Sequence, residues 1–158
     1  MKKNVLIVAI VILLLIIGGI FISRNKPEDS NSKNITSFKY SFGSFTGGYY
    51  DYEINQDGNQ YIFVVTGGNG VDLDINETID QSVLEDIQEI IQKYKVKKWN
   101  GFNKSDDDIS DGHSFSLLVR YDDYEIKAEG YMKYPRKYMD FQNEIQAYFD
   151  SLITSLQD

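Results

Sequence analysis

The sequence predicts an α+β protein: an N-terminal transmembrane helix followed by a two-layer domain, an antiparallel sheet with two helices on one face. Three observations predict it. Residues 5–22, VLIVAIVILLLIIGGIFI, form one uncharged apolar run. Several later segments alternate apolar and polar residues with the period of a half-buried strand, and two others repeat apolar residues with the period of an α-helix. Strands with one apolar face and helices with one apolar stripe hide those surfaces by packing layer on layer.

The apolar run, extended by Asn4 and Ser23, makes a helix about 30 Å long, the thickness of the hydrocarbon core of a bilayer. A cleaved signal peptide has a shorter apolar stretch and ends in a small-x-small site. This run ends in Phe21-Ile22-Ser23-Arg24, so residues 1–23 read as a cytoplasmic stub and an uncleaved signal-anchor helix. Basic residues flank both ends, Lys2 and Lys3 before it and Arg24, Lys26 and Lys33 after it. A short stub followed by a large C-terminal portion fits a single-pass arrangement in the cell membrane, N-terminus in and C-terminal domain extracytoplasmic. The lipid bilayer, met through residues 4–23, is the first expected partner. Residues 24–35, RNKPEDSNSKNI, have the composition of a flexible polar tether, and residues 36–158 remain for the extracytoplasmic α+β domain.

Within that domain, Phe38, Tyr40 and Phe42 alternate with Lys39 and Ser41, and Tyr50, Tyr52 and Ile54 alternate with Asp51 and Glu53. Asp57-Gly58 reads as a hairpin turn into Gln60–Thr66, and Gly67-Gly68-Asn69-Gly70 marks another turn before a short strand over Val71–Ile75. Thr78 or Asp80 is placed to cap a helix whose stripe is Leu84, Ile87, Ile91 and Tyr94, ending near Lys95 and Lys97. After a polar loop, Phe115, Leu117, Val119 and Tyr121 alternate, turn at Asp122-Asp123, and continue as Tyr124, Ile126 and Ala128. Pro135 precedes a last helix with Phe141, Ile145, Tyr148, Phe149, Leu152 and Leu156 on one stripe.

Charge and composition remove several function classes. All 24 acidic residues follow the apolar run, with 14 of the 16 basic ones, leaving −10 on that portion. Such a surface repels nucleic acid, so no nucleic-acid partner is expected. The absence of cysteine excludes disulfides, thiolate metal sites, a cysteine nucleophile and a lipobox. No Walker lysine, dinucleotide fingerprint, Gly-x-Ser-x-Gly or His-Glu-x-x-His is present, and no catalytic residue is assigned.

Four features remain as candidates. His113, the one histidine, serves a hydrolase only if a nucleophile and an orienting carboxylate stand beside it, or it is an ordinary polar residue at a strand start. Asp106, Asp107, Asp108 and Asp111 crowd a flexible loop, as calcium ligands do. The EF-hand template fails there, with Ile109 at position 3 and Leu118 at position 12. An irregular calcium site and a solvated acidic loop are the two readings, and no other cofactor is expected. Trp99 and Phe102 bracket a turn, and Tyr49 and Tyr50 follow a glycine pair; such rings stack on sugars or peptides when exposed, or pack loops onto the core.

The stretch Trp99-Asn-Gly-Phe102, Asp111-Gly112, Phe115-Ser-Leu-Leu-Val119, Tyr121-Asp122, Ile126-x-Ala128-x-Gly130 and Tyr134-Pro135 resembles a pattern of small uncharacterised, membrane-anchored or exported proteins of low-GC Gram-positive bacteria. It covers about a quarter of the chain and implies no activity. Elimination and anchoring together lead to a non-enzymatic binding module of the cell envelope, whose partner is an envelope protein or a cell-wall component. The alternatives are an extracytoplasmic hydrolase built on His113 and the acidic loop, and a calcium-stabilised sensor module.

Overall fold

The ten residues Ile35–Ser44 (β1), which alternate from Ser37 onward after an irregularity at Ile35–Ser37, run through the middle of the sheet, because both of their edges are paired. The computed structural model describes residues 34–106 and 108–157, so the expected membrane segment lies outside the described residues. Among the described residues no helix is long and apolar enough to cross a membrane.

After β1 come Gly48–Asp57 (β2), Gln60–Gly68 (β3) and Asp74–Ile79 (β4), then the helix Ser82–Tyr94 (α1) and a 3-10 turn, Val96–Trp99. Phe102–Ser105 (β5), Ser114–Tyr121 (β6), Glu125–Tyr131 (β7) and the helix Tyr138–Gln157 (α2) complete the domain. The seven strands lie in the order β4-β3-β2-β1-β6-β7-β5. The α+β class holds, but the sheet is mixed rather than antiparallel. β5 runs parallel to β7, with Phe102 opposite Ala128 and Ser105 opposite Tyr131. The sequence shows only a polar loop here, because Phe102-Asn-Lys-Ser is too short and polar to show a period, and its ladder is supplied by distant residues.

Two further boundaries differ. The fourth strand begins at Asp74 rather than Val71 and carries Thr78 within it, and Gln81, without a side-chain cap, precedes α1. The backbone of Asp80 and Gln81 covers that end instead, accepting from Val83, Leu84 and Glu85. At the other end Lys95 adopts a left-handed conformation (φ 58°) and its amide reaches back to Gln92 O. The Gly58-Asn59 turn has φ 62° at glycine, the position that a two-residue hairpin loop of this kind reserves for it.

Alternation decides what lies inside. Phe38, Tyr40, Tyr52, Ile54, Phe63, Val65, Leu117, Val119 and Ala128 share the helix-side face and are fully buried. Phe149 of α2 packs on Phe38, Tyr52 and Phe63 with ring centroids 5.8, 4.5 and 5.4 Å away. Phe141, about two helical turns earlier, meets Tyr40 edge-on and also Tyr94 and Trp99, which joins α1 and the 3-10 turn to the same core. Removing so large a buried ring, as in Phe149→Ala, costs about 3–5 kcal/mol. With most of the apolar residues drawn to one side, no helix among the described residues packs on the other face of the sheet.

Candidate binding face

The register sets out the uncovered face row by row. One row across the sheet reads Gly68, Tyr49, Gly43, Ser114 and Tyr131 from β3 through β7. The next reads Asp74, Thr66, Asp51, Ser41, Ser116, Glu129 and Asn103. The third centres on Val64, Glu53, Lys39, Leu118 and Lys127.

Side-chain height along these rows shapes the surface. On the central strands β1 and β6 the first two rows hold only Gly43, Ser114, Ser41 and Ser116. Taller residues flank them, Tyr49 and Asp51 on β2 and Tyr131 and Glu129 on β7. At a strand spacing of about 4.8 Å the two tyrosine backbones stand about 14 Å apart across three strand intervals. The third row closes one end, where Lys39 Nζ bonds Glu53 Oε2 at 3.1 Å beside half-buried Leu118. These heights make the face a shallow trough, closed towards Lys39, with the β1–β2 turn and the His113 ring at its Ser44 end.

Its parts are held in place. Gly43 has φ 148°, and a Cβ there would sit 2.1 Å from Gly48 O, so the floor beside Tyr49 admits no side chain. Ser44 Oγ accepts from Gly47 N at 2.9 Å and fixes the β1–β2 turn. Tyr131 Oη accepts from Gly112 N at 2.7 Å and donates to Ile109 O at 2.8 Å, so the acidic loop positions that wall. Gly112 is required there, because a Cβ would lie 2.2 Å from Met132 Cγ. Glu129 accepts from Asn103 Nδ2 at 2.7 Å. Farther in, the Asn55 amide and then Lys39 hold the Glu53 carboxyl below its usual range. Neither Asp51 nor Glu129 is paired with a cation among the described residues.

The candidates from sequence separate. Tyr49 lies on the uncovered face. Tyr50 lies on the helix side, stacked on Phe42 at 5.2 Å. Trp99 is 4% exposed and packs against Phe141 and Tyr138, so its ring is not presented to a partner. Phe102 is half-buried beside Phe115, with Lys104 Nζ 5.6 Å from its ring centre. Sequence reasoning missed Ser41, Asp51, Ser116, Glu129 and Tyr131 as a group. Polar residues at alternate strand positions read as solvent-facing, and only the pairing of four strands shows that the short ones are neighbours.

His113 is exposed at the entry to β6, its ring beside Gly47 of the β1–β2 turn, and its hydrogen bonds are made through its backbone. Its carbonyl accepts from Met132 N at 2.9 Å and from Tyr134 Oη at 3.2 Å. Among the described residues no hydroxyl or carboxylate is hydrogen-bonded to its ring. In the acidic loop, Asp106 accepts from Lys133 Nζ, and that bond holds its carboxyl below the usual range. Asp108 and Asp111 are exposed, and Asp107 lies outside the described residues. Among the described residues no three His, Asp or Glu side chains are grouped to hold a metal ion.

A groove between α1 and α2 is lined by residues that include Asp86, Glu89, Lys93, Glu144 and Tyr148. Its polar groups satisfy one another: Tyr94 Oη and Lys93 Nζ both bond Glu144, and Tyr148 Oη donates to Asp86. No protein-family model matches this chain, and no curated protein matches it.

Proposed function

We propose that this protein is a membrane-anchored binding module of the cell envelope, with residues 4–23 in the bilayer, the N-terminus inside and residues 36–158 outside. The observation that carries the binding half is the uncovered sheet face, a trough of short polar floor residues between two tyrosines. The anchoring half rests on the eighteen uncharged residues at 5–22 and the polar tether behind them. A sheet face that no helix among the described residues covers is a broad surface for a partner, and its backbone is already ordered, so binding costs little conformational entropy.

The experiment uses the lack of cysteine. Ser32→Cys is treated in intact cells with a membrane-impermeant thiol reagent, with lysed cells as control. Labelling of intact cells, with full-length protein retained in the membrane fraction, is the expected result. Labelling only after lysis overturns the proposal.

A further inference from the structure

We infer that the trough binds a polyhydroxylated ring that carries an ammonium group, an amino-sugar unit of a glycan. The inference rests on the binding-module reading and names its ligand class.

The floor excludes several occupants. Gly43, Ser114, Ser41 and Ser116 offer hydroxyls and backbone but no apolar surface, so an apolar side chain gains little by burial there. Half-buried Asp51 and Glu129 place a carboxylate on each wall, and the row they share, from Asp74 to Asn103, contains no basic residue. That charge repels phosphate, sulfate and carboxylate ligands and attracts a cation. The side chains of Ser41, Asp51, Thr66 and Ser116 have no partner among the described residues, so their hydrogen-bonding capacity faces the trough.

The walls add the rest. Carboxylates accept hydrogen bonds from adjacent hydroxyls as well as from ammonium. Tyrosine presents a flat face for the C–H bonds of a sugar ring. The Tyr131 hydroxyl is engaged by Gly112 and Ile109, so the hydroxyl that remains for a ligand is that of Tyr49. The Lys39–Glu53 pair and Leu118 stop the trough after two rows, a depth of about 7 Å along the strands, enough for one ring. The other end of the trough lies at Gly43, about 27 Å along β1 from Ile35.

The test is a titration of the full chain in detergent micelles with the glucosamine trisaccharide, followed by backbone amide shifts. Shifts at Gly43, Tyr49, Ser114 and Ser116 are expected. The Asp51→Asn/Glu129→Gln double variant should weaken binding by about tenfold or more. Ser116→Trp, which fills the floor without changing charge, should abolish it while the rest of the spectrum is retained. Absent shifts, or shifts confined to the helix groove, overturn the inference. Equal affinity for the N-acetylated trisaccharide, which lacks the ammonium group, overturns it, as does equally tight binding of trilysine at the same residues. Cellular topology does not enter this titration, so its failure is separate from a failure of the Ser32 labelling.

Discussion

Deleting one hydroxyl should stabilise this domain, and deleting the same atom one strand away should destabilise it. Tyr52 is fully buried, its ring stacked 4.5 Å from Phe149, and its hydroxyl has no hydrogen-bond partner among the described residues. Burial pushes that hydroxyl's pKa up because the charged form loses its water. The neutral hydroxyl is also stranded, at a desolvation cost of about 1–3 kcal/mol, and Tyr52→Phe removes the cost without breaking a bond. We expect a gain of about 1–2 kcal/mol, which for a domain of about 125 residues raises Tm by roughly 3–6 °C per kcal/mol. Tyr40 is the control. Its hydroxyl shares a 3.0 Å hydrogen bond with Tyr138 Oη inside the core, and Tyr40→Phe leaves that partner buried and unpaired. The same deletion there should cost about 1–3 kcal/mol. Thermal unfolding by near-ultraviolet circular dichroism, on the full chain in one detergent, compares the three proteins. A lower Tm for Tyr52→Phe would refute the reasoning and point to a buried water or other partner on that hydroxyl.

Three further predictions follow from the same structure. Lys95→Gly should stabilise the domain by about 1 kcal/mol, since Lys95 holds a left-handed backbone that glycine adopts without a Cβ clash; urea unfolding measures it. Gly43→Ala should destabilise by more than 2 kcal/mol, because the new Cβ meets Gly48 O at 2.1 Å, and the same unfolding curves decide it. Alkali should unfold the protein from a defined pH. Burial raises the pKa of both Tyr40 and Tyr138 above the ordinary 10.0, so the unfolded chain releases these protons first. The stability is intact below pH 10 and falls as pH rises beyond it, by about 1.4 kcal/mol per pH unit for each tyrosine held protonated. Tyrosinate absorbance should therefore rise together with loss of secondary structure rather than ahead of it.

Much of the fold was legible because apolar residues were spaced by simple periods. Phe38, Tyr40 and Phe42, or Phe141, Ile145 and Phe149, announce their faces without reference to any neighbour. What was not legible depends on pairing between distant segments. β5 is a strand only because β7 offers it an edge, and its own four residues have no alternation to display. The trough was hidden for the same reason. Ser41 and Ser116 are 75 positions apart and become one floor through the β1–β6 register. Trp99 stands out in the sequence as one of an aromatic pair around a turn, but the 3-10 turn after α1 directs it towards Phe141 and the core. Tyr131 gave no signal at all, since its hydroxyl partners belong to the loop at Ile109 and Gly112.

The central claim is that the bare face of the sheet is exposed outside the cell and occupied there. The most direct measurement compares how fast an impermeant thiol reagent labels Ser116→Cys and Ser32→Cys, in purified protein and on intact cells. The account predicts similar rates when purified, and on cells a several-fold slower rate at Ser116 alone, because a ligand covers the floor of the trough. Equal rates at both positions on cells would show a free face, and labelling of neither until lysis would place the domain inside; either result contradicts the account.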